Sequence, residues 1–190
     1  MIPSVYRERC ETRRVPIISP ETEHALHTII QKQRPRRCIE IGSAVWYSSS
    51  MIAQRVQEWS GQVYWFEIAH NAYTQAIYHT SKTPNLTIYP FDHTHIDIEK
   101  LIIWPYDFVF IDGQKSQYDR YFMKIEPLLH TESVIVCDDV IKFQNKLSSL
   151  YGYLDKKQIF YQQIQLEDDD GIMIIGQESI VKPLIQAITS

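Results

Sequence analysis

Apolar positions follow two rhythms along this chain. Short apolar runs, Arg37 to Ile41, VYWFEI from 63, NLTIYP from 85, YDFVFID from 106 and SVIVCDD from 133, read as strands. Between them the spacing is helical. Ser19-Pro20-Glu21 starts the first helix, with Ser as cap, Pro at the first helical position and Glu in the first turn, and Ala25, Leu26, Ile29 and Ile30 form its apolar face up to Arg34-Pro35. Further helices are predicted over Tyr47 to Trp59, Asn71 to His79, around His95 to Leu101, Ser116 to Leu129 and Lys142 to Leu154. Strand and helix thus alternate, which predicts an α/β domain: a mostly parallel sheet with helices on both faces. The last two apolar runs break the alternation. QIFYQQIQL and GIMIIGQ are separated only by EDDD and suit an antiparallel hairpin at the sheet edge, making seven strands.

Composition narrows the class. With 190 residues, 44% hydrophobic and 22% charged, the chain is one domain with room for a real core. Residues 1 to 15 read as an arm that covers part of the domain or pairs with a second subunit. Runs such as FVFI and IMII are too short to span a bilayer, and three scattered cysteines read as reduced thiols in a cytoplasmic protein. The net charge of −4 argues against a protein that coats nucleic acid. Charge is uneven, however: residues 1 to 37 carry +4 and the remainder −8. The basic N-terminal segment either meets a phosphate-bearing substrate or is a set of solvated arginines around the first helix.

In open parallel sheets ligands sit beyond the carboxyl ends of the strands, and this chain puts acids there. Glu40 and Gly42 lie at the end of the first strand, Glu67 ends the second, Asp112 the fourth, and Asp138-Asp139 the fifth. A carboxylate at Glu67 can accept both hydroxyls of a ribose, or it is simply a solvated strand-end acid. Asp112, Asp138 and Asp139 brought to one mouth would repel one another unless neutralised, so they are either oxygen ligands for a hard divalent cation or an acidic rim. Lys115 could reach the same mouth and serve as a general base if its pKa is lowered. Tyr47, Tyr118 and Tyr121 could line a planar pocket, and Asp168 to Asp170 read as a solvated turn.

Together these segments resemble the small, cation-dependent class I S-adenosylmethionine-dependent O-methyltransferases, the catechol and caffeoyl-coenzyme A type that also includes the bacterial tRNA hydroxyuridine methyltransferase. IEIGSAVWYSSS is similar to their first cofactor motif, FEIAHNAYTQA to the second, YDFVFIDGQKSQYDRYF to the segment carrying aspartate, lysine and tyrosine, and VIVCDDV to the segment completing the metal site. PIISPETEHAL resembles the lead-in helix, so the likeness runs from about Pro16 to Gln177. It implies a Rossmann-like methyltransferase fold with S-adenosylmethionine held by Glu40, Gly42, Ser43, Trp46, Ser48, Glu67, Ile68, Asp92, His93 and Asp112. It further implies a divalent cation, magnesium first and calcium or manganese next, on Asp112, Asp138 and Asp139, with Lys115 as catalytic base. The implied acceptor is a small hydroxylated, catechol-like molecule or a hydroxylated tRNA base, and the implied assembly a homodimer away from membranes.

Four positions depart from the pattern. Trp46 replaces the second glycine of the first motif, Asp139 replaces an asparagine, Glu132-Ser133 replaces a glycine pair, and His93 stands where a small residue is usual. Only Trp46 bears directly on activity: an indole filling the cofactor cleft would leave a degenerate methyltransferase-like domain that binds another ligand or a protein.

Overall fold

The computed structural model describes residues 4–12, 15, 17–42, 46–67, 83–90 and 105–190. The helices predicted over Asn71 to His79 and around His95 to Leu101 lie outside the described residues.

Seven strands form one sheet in the order β3-β2-β1-β4-β5-β7-β6. They are β1 (Arg37–Ile41), β2 (Gln62–Phe66), β3 (Leu86–Tyr89), β4 (Tyr106–Ile111), β5 (Leu129–Cys137), β6 (Tyr161–Gln165) and β7 (Gly171–Ile175). Strands β1 to β5 pair in parallel, and β7 runs antiparallel to both β5 and β6. The sheet is therefore the Rossmann-like, mostly parallel one expected, closed by a C-terminal antiparallel hairpin. The strand order reverses between β1 and β4, which makes their carboxyl ends the switch point where ligands collect in such sheets.

Alternation along the strands sends side chains to two separate core layers. Cys38, Phe108, Phe110, Val134 and Val136 face α2 (Pro20–Gln33) and α3 (Tyr47–Gln57), while Ile39, Ile41, Val109, Ile111, Ile135 and Cys137 face α4 (Tyr118–Ile125) and α5 (Ser148–Lys157). Both faces are thus covered, which is why the central strands read as unbroken apolar runs rather than alternating ones.

Helix α2 starts as its sequence predicts: the Ser19 hydroxyl accepts from the Thr22 amide at 3.0 Å, and Pro20 takes the first helical position. It ends at Arg34, a left-handed cap with φ 48°. Two helices differ from expectation. The one predicted from Lys142 begins only at Ser148, because residues 140 to 146 form turns and a short 3₁₀ segment. The amides of Ile141 and Lys142 in that turn donate to the Asp170 carboxylate. A C-terminal helix, α6 (Glu178–Ile188), follows the hairpin and was not predicted. Its signal was present in Val181, Leu184 and Ile185, but Pro183 sits in the middle of the pattern and reads as a breaker. The N-terminal arm also holds structure, the helix α1 (Ser4–Thr12), docked through Arg7. Among the described residues, no helix is long and apolar enough to cross a membrane.

Candidate active site

The hydrogen-bond ladder continues one residue past each central strand and so lines up the exits. Gly42 donates to the Phe66 carbonyl, Glu67 to that of Tyr89, Asp112 to that of Ile41 and Asp138 to that of Ile111, all within 2.9 to 3.1 Å. Gly42 must be glycine for two reasons. Its φ is +79°, and a Cβ there would stand 2.4 Å from the Asp112 carbonyl oxygen and 2.7 Å from the Gly113 Cα. The turn after β1 therefore presses its backbone against the turn after β4, leaving Asp112 at its shoulder.

Glu40, expected at the cofactor, is fully buried, and its carboxylate accepts from the Ser48 and Ser49 hydroxyls at 2.5 Å each. This charged pair of bonds fixes the start of α3 against β1, so Glu40 and Ser48 shape the turn from beneath. Replacing Glu40 with alanine would strand two buried hydroxyls and cost about 2–5 kcal/mol, judged from unsatisfied buried partners; a urea unfolding curve checks it.

Trp46 caps α3 in the left-handed region with φ 61° and is 7% exposed. Its ring joins Trp65 of β2, with Leu86 and Ile88 of β3 packed alongside. The Trp65 indole N–H in turn donates to the Gly42 carbonyl at 3.2 Å. Trp46 is absent from the lining of the acidic cavity. Ser43, Ile68, Asp92 and His93 lie outside the described residues, and Glu67 is buried at the exit of β2.

That cavity, of about 380 Å³, opens over β4 and β5. Asp112, Asp138 and Asp139 all line it, together with Thr22, Tyr47 and Asp170. Asp170 and its neighbour Asp169, whose sequence reads as a solvated turn, line it too. Topology carries the reason: β7 is antiparallel to β5, so the β6–β7 turn lies at the end where β5 exits.

Lys115 stands at the centre of the acids. Its ammonium donates to Asp112 at 2.8 Å and to the Tyr118 hydroxyl at 2.9 Å, and pairs with Asp139 at 2.7 Å, with its side chain only 11% exposed. The Tyr118 hydroxyl lies 3.1 Å from both the Ile111 and Asp138 carbonyl oxygens, so it ties the two strand exits to the lysine. Asp139 has φ 56°, a left-handed position for which Asn and Asp are the favoured non-glycine residues, which accounts for either being usable there.

The electrostatics follow from burial and from Lys115. Burial raises Asp112, and the lysine's charge only partly offsets it. Burial, then the charges of Asp112 and Asp139, push Asp138 well above the usual carboxylate range. For Asp139 burial works upward too, but Lys115 outweighs it and holds the group below its ordinary value. Lys115 is raised: burial disfavours its charge, and the two aspartates more than compensate. The lowered lysine pKa that general-base action calls for is thus not the state of this ion-paired arrangement. Because Asp112 and Asp138 bind protons in the folded chain above the unfolded carboxylate value of about 3.9, the cation-free protein is expected to gain stability as pH falls from neutral toward 4. The gain is lost as pH rises through their folded values. Urea unfolding at pH 5 and pH 8 measures this, and Asp138→Asn should flatten the difference.

A cation was expected on Asp112, Asp138 and Asp139. Four carboxylates with Asp170 give an all-oxygen donor set of the right hardness, in surplus over the single buried lysine, so chemistry and charge fit a hard divalent ion. Among the described residues, though, no three acids converge into a ready-made metal site, because Lys115 holds the space between Asp112 and Asp139.

Comparisons with known proteins agree with this architecture. Residues 7–172 match the family model described as O-methyltransferase. A Staphylococcus aureus protein provisionally assigned as a caffeoyl-CoA O-methyltransferase superposes with a TM-score of 0.79 at 20% identity, covering 91% of each chain. An O-methyltransferase from Bacillus cereus, solved with S-adenosylhomocysteine, gives 0.77 at 20% identity over 93% of each chain. TomG from Streptomyces achromogenes, an O-methyltransferase of tomaymycin synthesis solved with S-adenosylmethionine, gives 0.76 at 18% identity over 88% of this chain and 86% of its own. With the family model spanning most of its length, the chain belongs to the O-methyltransferase family.

Proposed function

We propose that this protein transfers a methyl group from S-adenosylmethionine to a hydroxyl of a small, catechol-like acceptor, assisted by a divalent cation. The observation that carries the reading is the gathering of Asp112, Asp138 and Asp139 around one cavity beside the Gly42 turn, with Lys115 ion-paired to Asp112 and Asp139. The cofactor would lie along the exits of β1, β2 and β4, with backbone approach at Gly42 and the buried Glu67 toward the ribose. Ser43, Ile68, Asp92 and His93 would complete that cradle. The alternative is a degenerate domain in which Trp46, packed with Trp65, Leu86 and Ile88, fills the cofactor cleft, and cofactor titration separates the two.

Asp112, Asp138 and Asp139 would hold the cation, whose charge would offset theirs and lower the pKa of a neighbouring acceptor hydroxyl. Lys115, relieved of part of the carboxylates' pull, would then take the hydroxyl proton at Nζ while the O–C bond forms and the S–C bond breaks. Tyr118 keeps that amine at the exits of β4 and β5. A second reading has a specific observation behind it: the Lys115 ammonium already bridges Asp112 and Asp139 and could itself supply the positive charge, without metal, the acceptor's proton then leaving to solvent through the open cavity. The acid-lined mouth favours neutral or cationic acceptors over coenzyme A thioesters and tRNA, because phosphates would meet Glu167, Asp169 and Asp170.

Methylation of 3,4-dihydroxybenzylamine and of 3,4-dihydroxybenzoate, followed with labelled cofactor in EDTA and in magnesium, tests this reading. Turnover in magnesium alone supports the cation-assisted form, and equal turnover in EDTA supports the lysine form. No methylated product from either catechol counts against both.

A further inference from the structure

The acidic turn between β6 and β7 has a second role that its sequence hides, and Asp170 carries it. Asp170 is 7% exposed, and its carboxylate accepts from three backbone amides: Gly171 at 2.7 Å, Ile141 at 3.3 Å and Lys142 at 3.4 Å. Two of these belong to the turn that leaves Asp138-Asp139. The same residue lines the cavity together with Asp139. Neighbouring backbone bonds reinforce the join: Val140 donates to the Gly171 carbonyl at 3.1 Å, and Leu166 and Glu167 both donate to that of Asp170 at 3.1 Å.

We infer that Asp170 is a positioning residue for the methyl-transfer site: it clamps the turn after β5 to the β6–β7 hairpin and so sets where the Asp139 carboxylate stands relative to Lys115. Three features favour a fixed clamp over a solvated turn. Asp139 is left-handed, a conformation that a loose turn would abandon at a gain of about 1 kcal/mol for a non-glycine residue. The Ile141 and Lys142 amides both reach a carboxylate on the other turn, 29 and 28 positions away in sequence. Gly171, next in sequence, is packed so closely that a Cβ would lie 2.0 Å from the Ile164 carbonyl oxygen within the hairpin and 3.0 Å from the Ile141 Cδ1 of the turn, so hairpin and turn are in tight contact there. Tight hairpin, carboxylate and turn therefore move as one piece. The role in catalysis rests on the proposed function; the clamp itself does not.

The test pairs Asp170→Asn, whose amide oxygen still accepts backbone bonds, with Asp170→Ala, which cannot. Amide exchange of Ile141, Lys142 and Gly171 by NMR should accelerate at least about tenfold in the alanine variant and little in the asparagine variant. With 3,4-dihydroxybenzylamine as probe, the alanine variant should lose about tenfold or more in kcat with S-adenosylhomocysteine affinity unchanged, and asparagine should recover most of it. Exchange rates that stay at wild-type values in the alanine variant would overturn the clamp. Faster exchange with unaltered kcat would overturn the positioning role. Should the wild type methylate no catechol, the proposed function fails, and exchange alone then decides the clamp. Ser148, which starts α5 beyond the turn, changed to alanine, serves as a neighbouring control in which the three amides should exchange as in wild type.

Discussion

Lys115→Ala is expected to lower methyl transfer by about 10²–10⁴-fold, the range for losing a positioned proton-transfer group. The loss should fall on kcat rather than on cofactor affinity, because among the described residues the polar partners of Lys115 are Asp112, Asp139 and Tyr118. The same change has a structural cost. It leaves Asp112 and Asp139 without the ammonium between them, a class of defect worth about 3–5 kcal/mol when one partner of a buried pair is removed. Part of that cost disappears if the acids take up protons, so the variant should be markedly more stable at pH 5 than at pH 8. Magnesium separates the two readings of the site. If the acids accept a cation, added magnesium should restabilise Lys115→Ala more than wild type, since no ammonium competes. A thermal unfolding series with and without magnesium measures it, and an unresponsive variant would favour the metal-free form.

The second large effect is expected at Gly42. An alanine there must adopt φ +79°, which costs about 1–2 kcal/mol, and its methyl group would stand 2.4 Å from a backbone oxygen that cannot swing away. The turns after β1 and β4 would have to part, moving Asp112 with them. We expect Gly42→Ala to lose at least 2 kcal/mol of stability and to abolish measurable S-adenosylhomocysteine binding under conditions where the protein remains folded. Folded protein with full cofactor affinity would show that the close approach of the two turns is unimportant. By contrast, Trp46→Gly removes an indole packed on Trp65 and should cost stability through the cavity it leaves, about 3–5 kcal/mol as for other large aromatic truncations.

Much of this was legible before any coordinates. Parallel strands buried on both faces leave near-continuous apolar runs, so β1, β2, β4 and β5 could be placed from their composition, and the acids at their ends could be placed by the rule for open sheets. Ser19 and Pro20 announced α2 because capping chemistry is local. What escaped was non-local. Glu40 also accepts from Ser48 and Ser49, a pairing only the packed β1–α3 unit reveals. The turn found where the helix was predicted to start ties its Lys142 amide to Asp170, a residue 28 positions away. Asp170 itself hid in an acidic turn whose composition alone says solvent. The helix α6 was concealed by Pro183, which its packing against α2 and β6 tolerates. For Lys115 the residue was found but not its state: spacing brought it to the acids, while the direction of its pKa depended on Asp112 and Asp139 outweighing burial.

The central claim is that the exits of β1, β2 and β4 bind S-adenosylmethionine with Trp46 turned toward Trp65. Calorimetric titration of the purified full chain with S-adenosylhomocysteine tests it most directly. Saturable binding of one ligand per chain, lost in Gly42→Ala and retained in Lys115→Ala, is the predicted result. No heat of binding from the folded wild-type protein at millimolar ligand would contradict the account and point to a domain that kept the fold without the cofactor.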